Sequence, residues 1–239
     1  MTGRAAGEGA LAGAAALRAR SSRLERWRGL AALGTCIALG VFVAAMAVAI
    51  ASYPGGSWTQ ANASGFSLAR NFWCDLLRSQ AINGADNAAA KLWASVAFGA
   101  LGFALWPYWW VAASVLSGRA RQLVTRLGTT SAACLAAMTV FPSDSDKIVH
   151  GVVALSGAVL GMLAAAASVS VRASGEPRFS LRRSSGVSAL ALAACNAVLY
   201  VHVAYLGGPE TVAQPVVQKL ATLALLGWMF STVHHARGR

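Results

Sequence analysis

Apolar residues in this chain run together in long blocks, broken by short polar stretches. The blocks lie at about residues 30–52, 89–116, 123–141, 148–171, 187–206 and 216–234. Each is close to the roughly 20 residues a helix needs to cross a hydrocarbon core. The pattern predicts an all-α fold, a polytopic membrane protein built as a six-transmembrane-helix bundle over residues 29–235. A basic tail at 1–28 precedes it and a short end at 236–239 follows. Most breaks are short, so sequential helices are expected to be neighbours. In the fourth block, Gly157-x-x-x-Gly161 lets an adjoining helix approach closely.

One break is different. Residues 53–88 form the longest segment between blocks and open with YPGGS. Pro54 fixes its own φ and Gly55–Gly56 accept positive φ, which predicts a sharp turn at the helix exit. The stretch GFSLARNFWCDLLRSQ then has helical spacing, with Phe66, Ala69, Trp73, Leu76 and Leu77 on one face. It predicts an amphipathic helix lying at the interface or over the bundle as a lid. Asn83-Gly84 supplies a turn before the second span. Trp106, Tyr108, Trp109 and Trp110, near the far end of that span, suggest an interfacial aromatic belt.

Composition supports the class: 56% hydrophobic and only 12% charged residues, about half the charge of an ordinary soluble domain. The net charge of +12 changes the picture only through its placement. Of 20 Lys and Arg residues, 15 fall on one set of alternate loops and tails. Asp75, Asp86, Asp144, Asp146 and Glu210 fall on the other set. The positive-inside rule then predicts both termini in the cytoplasm, with the basic face against the lipid bilayer and not nucleic acid. The first block has an A-x-A look at its end, but its apolar core of about 22 residues exceeds a signal peptide's roughly 7–15. Cys36, Cys134 and Cys195 lie inside apolar blocks and only Cys74 lies in a loop, so no disulfide framework is expected.

Candidate chemistry concentrates where polar groups interrupt the apolar pattern. In FPSDSDKIVHG, residues 141–151, Ser143 and Asp146 have capping-box spacing, and acids suit a helix N-terminus. His150 lies one turn beyond Asp146, on the same face. His202 and Lys219 sit at comparable depth in the fifth and sixth blocks. Ionisable groups at such depth usually face the bundle interior or water. With the lid residues, they define one expected pocket on the extracytoplasmic side. In it His150 and Asp75 are a candidate acid/base pair, and Asp144, Asp146, His202, Lys219, Asn71 and Arg70 are candidate ligand-binding residues. His150, His202 and Asp75 are also candidate zinc ligands by donor type. No HExxH, HxxxH or G-x-S-x-G is present.

YPGGS, then N-x-x-CDL (Asn71 to Leu76), NGxxN (Asn83 to Asn87), FPxD followed by His150, and Gln218–Lys219 resemble a family of bacterial multi-pass membrane proteins. That family is catalogued as domain of unknown function nine-nine-eight and is loosely similar to the DRAM/Frag-type membrane proteins. The resemblance implies a six-helix bundle in a bacterial inner membrane and carries no established activity, so it assigns no catalytic residues. A fainter similarity is to membrane hydrolases of the alkaline ceramidase type, whose histidines hold zinc; this chain lacks HxxxH and a seventh block. The function expected is therefore an integral membrane protein whose outward pocket binds a lipid headgroup or small polar ligand. Hydrolase chemistry is left open. The alternative is a structural or accessory membrane protein with no catalytic site.

Overall fold

In a computed structural model, residues 2–171 and 180–237 are described. The helices are α1 (Thr2–Ser52), α2 (Ala88–Ala113), α3 (Gly118–Ala137), α4 (Lys147–Ser170), α5 (Leu181–Tyr205) and α6 (Ala213–Arg237). Five contain a stretch long and apolar enough to cross a membrane; α3 does not. The expected third span began at residue 123, beyond Arg119 and Arg121. The helix itself starts at Gly118 and also holds Arg126, while Met138 to Phe141 turn away from it. α1 is continuous through the residues expected as a separate tail. Side chains of Arg4, Arg18 and Arg20, and the loop arginines Arg172 and Arg178, lie outside the described residues.

Sequential helices pack as antiparallel neighbours: α2 on α3, α3 on α4 and α5 on α6 across short connections, and α1 on α2 across the long 53–87 segment. α6 closes the bundle by touching both α1 and α2. The Gly157/Gly161 face meets α3. A Cβ at Gly161 would come 2.7 Å from Ser131 Oγ, and one at Gly157 would come 3.1 Å from Cys134 Cβ. That proximity lets Ser131 Oγ donate to the Gly157 carbonyl at 2.7 Å, a polar tie between helices where lipid offers no alternative partner. At the end opposite the lid, Arg28 donates to the carbonyl of Ser114, the residue closing α2, where a cation also suits the helix dipole.

The aromatic run in α2 divides by helical phase. Trp106 and Trp110 are exposed, as an interfacial belt requires, whereas Tyr108 and Trp109 are buried. The buried pair forms an edge-to-face cluster with Trp228 of α6. Trp109 lies where a Cβ on Gly128 would be, 2.2 Å from its ring, and Trp228 stands likewise against Gly186 at 2.6 Å. Small residues on α3 and α5 make room for these large rings.

Residues 53–87 do not form the expected amphipathic helix. They form a β-hairpin, β1 (Gly55–Ser57) and β2 (Gln60–Ser64), followed by one 3-10 turn at Trp73–Leu77. The sharp exit at YPGGS is present: Gly55 and Gly56 have φ of 143° and 84°. A Cβ on either would lie within 2.4 Å of backbone at Ala63 or Asn83. The apolar set expected on one helix face is still partly turned inward. Leu76 and Leu77 are fully buried, with Phe66 and Trp73 half-buried beside them. Buried hydrogen-bonding side chains, not helix periodicity, decide this segment's path.

Candidate functional site: a latched lid over an apolar cavity

Three buried side chains, Asp75, Asn71 and Asn87, hold the lid from within. Asp75, only 3% exposed, accepts from Trp58 Nε1 at 3.1 Å, Asn71 Nδ2 at 3.0 Å and the Phe72 amide at 2.8 Å. Burial pushes its carboxyl above the ordinary carboxylate range, against those bonds and Arg78, which pull it down. Arg78 also stacks on the Trp58 ring at 5.5 Å. Asn71 takes the amide of Ser67 on its oxygen and gives its nitrogen to the Gly56 carbonyl as well as to Asp75. Asn87 Nδ2 reaches the carbonyls of Asp75, Leu76 and Arg78, at 3.4, 3.3 and 2.8 Å. These contacts replace the backbone ladder that a helix would have supplied.

The same lid is fastened to α6. Lys219 is 8% exposed, lies 4.7 Å from the Trp73 ring centre and 5.4 Å from that of Phe66, and donates to the Asn71 carbonyl. The two rings stack nearly parallel, 5.9 Å apart, so the cation caps both. Gln218 Oε1 accepts from the Trp73 amide at 2.9 Å, and Thr222 Oγ1 accepts from Trp73 Nε1 at 3.0 Å. Cys74 is half-buried next to this latch; burial, with the Asp75 charge, pushes its thiol up to about 12. It is a thiol and not a nucleophilic thiolate near neutral pH.

Beneath the latch lies a cavity of about 290 Å³ reached by all six helices. Trp73, Cys74, Gln218 and Thr222 form its lid end, and Trp109 and Trp228 its far end. Gln218 to Trp228 is ten residues along α6, so the cavity is about 15 Å deep. Its walls are mainly Ala, Leu, Gly and Met, with Ser131 and Asn196 as the polar exceptions along its length. Among the described residues no Asp, Glu, Lys, Arg or His lines it. Asn196 Oδ1 is buried and has no hydrogen-bond partner among the described residues.

The structure therefore brings together three of the expected site residues, Asn71, Asp75 and Lys219, and separates the rest. His150, 4% exposed, pairs through Nδ1 with the Phe141 carbonyl at 2.8 Å. A carbonyl only accepts, so Nδ1 carries the proton and braces the start of α4 against the chain leaving α3. His150 and Asp75 are not a hydrogen-bonded acid/base pair. Asp146 is itself the α4 N-cap, accepting from Ile148 and Val149, so the cap falls three residues after Ser143. Asp144 accepts from the Ser79 amide at 2.6 Å and ties the α3–α4 connection to the lid. Arg70 is exposed and bonds Gln60. His202 is exposed in the last turn of α5, with its ring against Gly208. For zinc the donors do not assemble: among the described residues no group of three or more His, Cys, Asp and Glu could hold a metal ion.

Sequence reasoning left out Trp58 and Thr222, placed Trp73 only on an apolar face, and named Asn87 and Gln218 only within motifs, with no site role. A signal for Asn87 was available, since it ends the NGxxN motif. Trp58 and Thr222 carry no local pattern, because each meets its partner only through the tertiary fold. Searches against protein families, curated proteins and solved structures return no match for this chain.

Proposed function

We propose that the protein is a membrane-embedded binding protein for a lipid-like amphiphile, held in the central cavity under the latched lid. The observation that carries this reading is the cavity itself: about 290 Å³, apolar along its walls and polar mainly at its latched end. Small-molecule sites are typically concave, mostly apolar and marked by a few placed polar groups. Hydrolysis is not favoured, because the expected acid/base pair is not formed: Asp75 accepts from Trp58, Asn71 and Phe72, while His150 is bonded through Nδ1 to the Phe141 carbonyl.

In this reading all six helices cross a bacterial inner membrane. Asp144, in the α3–α4 connection, binds Ser79 in the lid, whereas Ser114, just before α3, binds Arg28 at the opposite end. α3 therefore carries the chain from one end of the bundle to the other despite its arginines. Arg23, Arg26, Arg28, Arg119, Arg121 and Arg183 gather at the end away from the lid, which favours cytoplasmic termini and an external lid. The reading includes membership of the bacterial multi-pass family that the sequence resembles; the resembling motifs include Gly55, Gly56, Asn71, Asp75, Asn87, Gln218 and Lys219, on which the lid and latch are built.

The test is native mass spectrometry of the purified protein released from mild detergent. A bound lipid-sized molecule, one per chain, is expected on the wild type and lost in Ala193→Phe, which fills the cavity wall. Equal retention by both, with both eluting as folded protein in size exclusion, would place the lipid elsewhere and refute the reading.

A further inference from the structure

The cavity's chemistry narrows what it can hold. We infer that its ligand is an uncharged lipid carrying a hydroxyl group that donates to Asn196 Oδ1; this rests on the cavity-binding reading above.

Two independent observations lead there. The first is the lack of charge. Among the described residues its lining contains no Asp, Glu, Lys, Arg or His, and the thiol of Cys74 at its lid end stays protonated near neutral pH. The charged groups nearest the lid end are already engaged. Lys219 is capped by two rings and a carbonyl, and Asp75 accepts three donors. A phosphate or carboxylate drawn into this space would lose its hydration and find no counter-charge on the wall. A quaternary amine would find no free carboxylate.

The second is the orphaned acceptor. Asn196 lies nine residues before the lid-end terminus of α5, about 13 Å down the helix. At that depth a bilayer supplies no water to an open amide oxygen, and an unmet polar group costs free energy. The polar side chains of α6 that line the lid end are satisfied within the protein. Gln218 Oε1 and Thr222 Oγ1 each accept from Trp73, and the Thr222 hydroxyl donates to the Gln218 carbonyl. Ser131 Oγ donates to Gly157. Among the described lining residues three buried groups stay open: the Asn196 acceptor part-way down the apolar shaft, and the indole N–H groups of Trp109 and Trp228 at its far end, which are donors and leave Asn196 the one open acceptor. The complementary ligand has hydrocarbon on both sides of a small donor, or a hydroxyl at the end of a chain that enters it. A hydroxyl fits because it donates without bringing charge.

The test compares three probes of one chain length in the purified protein: hexadecanol, its methyl ether and hexadecanoate. Binding is read by thermal stabilisation across a titration and by native mass spectrometry. The expected order is alcohol over ether by about three- to tenfold in affinity, the worth of one net hydrogen bond, with the carboxylate weakest. Asn196→Leu, similar in volume and suited to a membrane helix, is expected to equalise alcohol and ether while still binding both. Equal binding of alcohol and ether by the wild type, or tighter binding of the carboxylate, would overturn the inference and leave the cavity reading standing. Binding of none of the three would overturn the cavity reading and the inference together. A preference for the alcohol that survives in Asn196→Leu would also overturn the inference, because the hydroxyl would then be recognised elsewhere.

Discussion

Replacing Asp75 with alanine removes an acceptor shared by three donors, the Trp58 indole, the Asn71 amide and the Phe72 backbone. At about 1 kcal/mol net per bond the gross loss is about 3 kcal/mol. Burial already raises the carboxyl, so removing it returns part of its desolvation cost, leaving about 2 kcal/mol, or about 30-fold in the lid's opening equilibrium. Asp75→Asn keeps one acceptor oxygen and turns an NH₂ toward at least one former donor, so its expected effect is smaller, about tenfold. The assay is the rate at which a membrane-impermeant maleimide modifies Cys74 in a chain whose other three cysteines are alanine, normalised to the rate in the unfolded chain. Burial holds the proton on Asp75, so the folded lid binds more protons than the unfolded chain at pH values between the ordinary carboxylate value and the raised one. Lid stability is therefore greatest below the ordinary value and falls as pH rises through that window. The Asp75→Asn variant lacks this slope. Labelling of Asp75→Ala within twofold of wild type would refute the view that this carboxylate holds the lid.

Trp73→Phe retains the stack on Phe66 but loses the indole bond to Thr222; about 1 kcal/mol, or about fivefold faster Cys74 labelling, is expected. Gly128→Val drives a branched side chain into the Trp109 ring, and thermal unfolding in detergent should show a loss of about 1–3 kcal/mol. Gly34→Ala, with open space around its new methyl, should melt like wild type. His150→Ala should lower stability by about 1–2 kcal/mol through the lost brace to Phe141. Zinc content measured by plasma mass spectrometry should not differ between His150→Ala and wild type; a stoichiometric metal lost in the variant would contradict the structural role.

The helical bundle was legible because long apolar runs leave the backbone one way to satisfy itself in lipid. Boundaries shifted where arginines extend a helix past its apolar part, as at Gly118–Arg126. The lid was misread because Phe66 to Leu77 carries helical spacing, while its conformation is set by Asn71 and Asn87 reaching the distant carbonyls of Gly56 and Arg78, and by Asp75 accepting from the Trp58 indole. Propensity within a window does not register such bonds. The gathering of Asn71, Asp75 and Lys219 could be anticipated from polar residues at one end of the bundle. The direction each histidine faces could not, since a shift of one position on a helix turns a side chain by about 100°. The cavity was invisible for a related reason: alanine and glycine in a helix look the same whether they face a neighbour or a void.

Gly128, Gly186, Gly151 and Gly161 each stand where a single added carbon would meet an aromatic ring or a hydroxyl within 2.7 Å. A glycine codon cannot mutate to a smaller residue, so every missense change at these four positions adds volume. A random-mutation survey of this gene should therefore find some of its least tolerant positions among residues with no side chain to recognise anything. The lipid-facing leucines and valines of the same helices should accept most apolar exchanges. A map of intolerance drawn without the structure would mark these glycines as a binding motif, when what they preserve is room for the side chains around them.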